Sequence, residues 1–70
     1  MITFKTFIKR FEEDESPIGD LARDILEDSQ FPSRATTFAY IYDYLRCKRN
    51  EKVIDTFVEA WEIYRKVVRA

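Results

Sequence analysis

Apolar side chains recur at i, i+3, i+4 and i+7 along almost the whole chain, a period that belongs to a helix and not to a strand. The first set is Phe4, Phe7, Ile8 and Phe11, and the second is Ile18, Leu21, Ala22, Ile25 and Leu26. Phe38, Ile41, Tyr42 and Leu45 make the third, and Val53, Phe57, Ala60, Trp61, Tyr64 and Val67 or Val68 make the fourth and longest. Each set forms one stripe, and a stripe has to be covered by another. Four stripes in 70 residues, interrupted by one Gly and two Pro, predict an all-α compact four-helix bundle. Its helices are expected at about 3–12, 17–28, 37–48 and 51–68. A chain of this length has room for one domain, 1–70. It buries only roughly 60% of its unfolded surface, so the core must be dense. Six Phe, four Tyr and one Trp provide for that.

Local signals mark the helix ends. Thr3 can cap the first helix, and Lys9 and Arg10 lie where the helix dipole favours cations. The acidic run Glu12-Glu13-Asp14-Glu15 ends that stripe, and Ser16-Pro17 starts the next helix with a capping hydroxyl followed by proline. Gly19 lies inside that first turn, where it costs up to about 1 kcal/mol against alanine. Either a close helix–helix approach or the exit angle of the loop would offset this. In Asp28-Ser29-Gln30-Phe31-Pro32 the proline pushes Phe31 out of the helical region, so Phe31 is expected to plug the core from a loop. Thr36 or Thr37 caps the third helix and Asn50 the fourth. The expected core is Phe7, Leu21, Ile25, Phe31, Leu45, Phe57 and Trp61. Loss of Trp61 to alanine should cost about 3–5 kcal/mol.

The chain has no histidine, which removes imidazole acid–base catalysis, Ser–His and Cys–His nucleophiles and His-containing zinc sites together. One glycine cannot make a phosphate loop. Cys47 is the only cysteine and has no base to activate it. A non-enzyme that needs neither metal nor cofactor is expected. Cys47 cannot form an internal disulfide, and no apolar run approaches the ~20 residues needed to span a bilayer. A cytoplasmic protein with no membrane contact is therefore expected.

Charge is segregated along the chain: residues 11–30 carry eight acids and one base, while residues 46–70 carry a net +3. Three surfaces follow. Asp20, Asp24 and Asp28 fall at i, i+4 and i+8 beside Glu27. Each stacked like-charge pair destabilises an isolated helix by about 0.2–0.5 kcal/mol. Either basic side chains of neighbouring helices relieve this face, or it docks a basic partner. A divalent-metal cluster is the third reading, though open carboxylate faces without a shaped loop seldom bind tightly. Asp28 has a further local reading, as an Asx cap on the turn at Gln30. Tyr40 and Tyr44 lie opposite the third stripe and form either a second buried side or an exposed aromatic patch. Arg46, Lys48, Arg49 and Lys52 form a candidate basic patch. The expected partner is another protein, and weak, salt-sensitive self-association is the most the charges predict. The alternatives are a nucleic-acid-associated protein using residues 46–52, or an acidic DNA mimic through residues 12–28. The pI near 5.4 argues against nucleic-acid binding.

Five short patterns occur in order: Phe4-x-x-Phe7, Gly19-Asp20-Leu21-Ala22, Asp28-x-x-Phe31-Pro32, Ile41-x-x-Tyr44-Leu45 and Phe57-x-x-Ala60-Trp61-x-x-Tyr64. The set resembles the small YozE-like proteins of Firmicutes and their phages. The resemblance implies a four-helix fold similar to a sterile alpha motif (SAM) domain. It carries over no catalytic residue. Modules of that fold can pair head to tail between copies, which would bring the acidic and basic surfaces together.

Overall fold

The computed structural model describes residues 2–48 and 51–69, the last of these in its backbone only. Thr3 takes an extended conformation and its hydroxyl accepts the Thr6 N–H at 3.2 Å, which starts α1 over Phe4–Ile8. The expected 3–12 helix is shorter and tighter than its stripe suggests. After Ile8 the chain narrows into a 3₁₀ turn over Lys9–Phe11. Ser16 then caps α2 (Pro17–Glu27) by accepting the Gly19 N–H at 3.3 Å. Asp28 has already left the helical region at φ −86°, ψ 102°, one residue before the expected end. The remaining helices are α3 (Phe38–Lys48) and α4 (Glu51–Arg69). The proposed cap Asn50 lies outside the described residues.

All four helices turn their stripes inward. Phe4, Phe7 and Ile8 meet Leu21, Ala22 and Ile25 of α2, Ile41 and Leu45 of α3, and Phe57, Ala60 and Tyr64 of α4. Phe31 is buried from its loop, as the following proline required. Phe4 is the hub. Its ring stands edge-on to Phe57 at 5.3 Å and to Tyr64 at 5.4 Å, geometries that add about 0.5–1.5 kcal/mol per pair beyond burial. Trp61 departs from expectation. It packs on Phe4, Phe38, Phe57 and Tyr64 but is only half-buried. The inward line of α4 runs through Thr56, Phe57, Ala60 and Tyr64, so it keeps the centre of the apolar stripe, adds Thr56 on one side and leaves the other members at its edge. Val53 is half-buried and Val67 exposed for the same reason. Removing Trp61 therefore costs less than the full ~3–5 kcal/mol of a buried aromatic. Among the described residues Thr56 is the one buried residue classed as polar, and its hydroxyl donates to the Lys52 carbonyl at 3.1 Å.

Gly19 is explained by the close approach of a connecting segment, not of another helix. A Cβ built there would lie 2.0 Å from the carbonyl oxygen of Asp14, because the 12–16 connection folds back over the first turn of α2. Arg23, one turn on, holds the same connection by donating to the carbonyls of Glu12 at 2.7 Å and Asp14 at 3.1 Å. At the other side of the core, the Tyr64 hydroxyl donates to the Ile2 carbonyl at 2.7 Å and ties the start of the chain to α4. Burial pushes the Tyr64 phenol above its ordinary value of 10.0.

Two outcomes follow from this packing. Gly19→Ala should lower the unfolding free energy in urea by about 1–3 kcal/mol, since a backbone must move to admit the methyl group. Helix propensity alone would raise it by about 1 kcal/mol, so the sign decides between the two effects. Tyr64→Phe should destabilise by about 0.5–1.5 kcal/mol at neutral pH. Because the folded phenol titrates above the unfolded one, that contribution is intact below about pH 10 and is lost as the pH rises further. The gap in stability between the two proteins should be flat to about pH 9 and close above pH 10.

Candidate functional site

Among the described residues, those proposed from sequence as three surfaces line neighbouring depressions: the acids of α2 with Lys48 of α3 and Lys52 of α4, and Tyr40 and Tyr44 with Lys48. On α2, Asp20 is exposed and pairs with Arg23 through a short carboxylate–guanidinium contact. Glu27 is exposed, while Asp24 and Asp28 are half-buried. Asp24, Glu27 and Asp28 share an open depression with Lys48 of α3. Asp20 and Asp24 share a second one, between α2 and α4, with Lys52. The acids of α2 are therefore contiguous with Lys48 and Lys52, which lie 20 or more positions further along the sequence. Asp20 is paired within α2 by Arg23, and Lys48 and Lys52 line the depressions of the other acids.

Asp28 works locally first. Its Oδ1 accepts the Gln30 N–H at 3.0 Å, the Asx turn expected there, and its carbonyl accepts the Phe31 N–H at 3.2 Å. Its Oδ2 accepts the Tyr44 hydroxyl at 2.5 Å. Tyr44 thereby crosses from α3 to the end of α2, and its ring stands edge-on to Phe31 at 5.6 Å and 88°. This separates the two tyrosines proposed as one patch. Tyr44 is half-buried and belongs to the α2–α3 junction, whereas Tyr40 is 62% exposed. Tyr40 contributes to two neighbouring depressions. One is chiefly apolar and is lined with Asp43, Tyr44, Cys47 and Lys48. The other lies over the α2–α3 loop, against Pro32, Arg34 and Thr37.

The basic patch is partly committed elsewhere. Arg46 lies 3.8 Å from Asp43 in an exposed pair, an arrangement worth at most about 1 kcal/mol. Lys48 donates to the Gln30 side-chain carbonyl at 3.1 Å and sits 5.3 Å above the Tyr44 ring. Arg49 lies outside the described residues. Cys47 is exposed and in no disulfide. Among the described residues no three His, Cys, Asp or Glu side chains are placed to share a metal ion, and no helix is long and apolar enough to cross a membrane. Two residues central to this surface escaped the sequence reading as surface groups. Gln30 had been read only as part of the turn after α2, and Asp43 had no stripe or run to single it out.

The Asp28–Tyr44 bond should be measurable as a coupling. Tyr44→Phe is expected to cost about 1.5–3 kcal/mol, because the acceptor is a carboxylate in a half-buried site. Asp28→Ala should cost more, since it also removes the turn contact to Gln30. In the double variant the two losses should fall short of their sum, as expected of residues in contact. Additive losses in urea denaturation would mean that the bond contributes nothing.

No curated protein and no solved structure matches the chain. A family model, the YozE SAM-like fold, matches residues 3–66 and so takes in all four helices, including the two tyrosines and the acids of α2. The likeness first read from five short patterns thus extends over nearly the full length, and the chain belongs to the YozE SAM-like family.

Proposed function

We propose that this chain is a non-catalytic module that binds another protein through the outer face of α3, centred on Tyr40 and flanked by the acids of α2. The observation that carries this reading is the exposure of Tyr40. All the other aromatic residues, six Phe, three further Tyr and Trp61, are buried or half-buried, and Tyr40 alone is exposed. Tyrosine in such a position offers a large rigid area with a polar tip, the kind of side chain that dominates protein contacts. The lining beside it is chiefly apolar, and Asp43 together with Asp24, Glu27 and Asp28 gives its surroundings acidic edges. That combination suits a partner segment carrying apolar and basic side chains. A nucleic-acid reading draws less support, because Lys48 and Lys52 line depressions that they share with carboxylates.

Capture on the immobilised protein from a nuclease-treated lysate of the source cell provides the test. A retained protein should be lost by about ten-fold or more with Tyr40→Ser, the effect of one interface anchor. Asp20, Asp24 and Glu27 changed together to Ser should weaken it further at low salt than at high salt. Binding that disappears with nuclease, or that depends on Arg46 and Lys48 and not on Tyr40, overturns the reading.

A further inference from the structure

The end of α2 and the outer face of α3 together build a seat for a cation, and one already sits in it. The Lys48 ammonium lies 5.3 Å from the Tyr44 ring centroid and donates to the Gln30 side-chain carbonyl at 3.1 Å. It is also the one residue common to the depression containing Asp24, Glu27 and Asp28 and to the apolar one beside Tyr40. The seat itself is fixed. Tyr44 is held by its hydroxyl bond to Asp28 at 2.5 Å and by the edge of Phe31 at 5.6 Å. Gln30 is held at its backbone by Asp28 Oδ1 at 3.0 Å. The occupant is less constrained, because Lys48 is exposed and reaches the seat on a flexible four-carbon stem.

A ring face, an amide oxygen and flanking carboxylates recognise a guanidinium better than an ammonium. The guanidinium is planar, stacks on aromatic faces and is more weakly hydrated. We propose that this seat receives an arginine side chain of the protein partner, next to an apolar residue on the Tyr40 floor, and that Lys48 is an internal placeholder which the partner must displace. The inference rests on the docking reading above and adds the chemistry of the partner and a built-in competitor. A site occupied most of the time by its own lysine binds more weakly by the fraction of time it is open. Removing Lys48 should therefore strengthen binding, although the surface loses a side chain.

The probe is an end-blocked pentapeptide with one arginine between two leucines, titrated by NMR and followed at the Tyr44 ring protons. Its counterpart carries neutral citrulline in place of arginine. Lys48→Ala should tighten the arginine peptide about three-fold or more. Lys52→Ala removes the same charge beside Asp20 and Asp24 but away from the ring. It should give a clearly smaller gain, since a general electrostatic effect would move both variants alike. Equal gains in the two variants overturn the proposal, as does an unchanged or weaker affinity in Lys48→Ala, or an equal gain with citrulline. Circular dichroism checks that each variant is folded, and Lys48→Gln repeats the measurement with the helix end kept polar. If capture of the cellular partner proves indifferent to Tyr40 while Lys48→Ala still tightens the peptide, the docking reading fails and the seat stands. The reverse pattern removes the seat and leaves docking at Tyr40.

Discussion

The bundle depends on Phe4. Its helix, α1, has five residues, far below the ~12–15 at which an isolated helix becomes marginally stable in water. What makes it helical is the complete burial of Phe4, Phe7 and Ile8 against the longer helices. In return, the aromatic side of α4 is covered. Without the Phe4 ring, Phe57 and Tyr64 would each lose a neighbour packed within 5.4 Å. Such losses are large for a domain of this size, whose single core rarely supplies more than about 3–5 kcal/mol. The short helix and the long one are thus conditional on each other, and the Tyr64–Ile2 bond fastens the same junction by a polar contact.

Around that core, carboxylates and carbonyls are placed so that single side chains hold whole connections. Arg23 secures the link from α1 to α2 by reaching two carbonyls and one carboxylate. Asp28 secures the next link by accepting from the Gln30 backbone and from Tyr44. The second arrangement bears directly on function. Burial of Ile41 and Leu45 orients α3, and the bond from Tyr44 to Asp28 fastens that helix to the end of α2. Tyr40 is exposed one turn before Tyr44, and Lys48 lies beside the acids of α2 one turn after. A structural bond therefore helps to fix the surface on which binding is proposed, and changes at Asp28 should alter both stability and recognition.

The charge pattern gains meaning in the same way. In one dimension the segment 11–30 is strongly acidic and residues 46–70 are basic, which invites a picture of two opposed faces. In the fold they adjoin, with Lys48 and Lys52 bordering Asp20, Asp24 and Glu27. Contiguous opposite charges neutralise one another at long range and keep their effect only within about a Debye length, roughly 8 Å at physiological salt. The recognition proposed above accordingly rests on close-range chemistry, ring faces and fixed acceptors, more than on long-range steering.

Much of the architecture was legible in the chain because its causes are local. The 3.6 period, the Thr3 and Ser16 caps, Pro17 at the first turn and Phe31 before proline each act through neighbours within a few residues, so sequence alone determined four helices and a loop plug. The Asx turn at Asp28 was readable for the same reason. Where the chain was misleading, non-local packing decided. The inward line of α4 depends on where α1 lies, so Thr56, polar and invisible to a hydrophobic stripe, is buried while Trp61 is displaced to the rim. Gly19 was visible as an anomaly, but only the returning backbone of Asp14 supplied the reason. Tyr40 and Tyr44 stand one turn apart on the same ridge and are indistinguishable by periodicity. Tertiary structure alone separated them, because Asp28 and Phe31 meet Tyr44 across the junction while Tyr40, one turn further back, is left exposed.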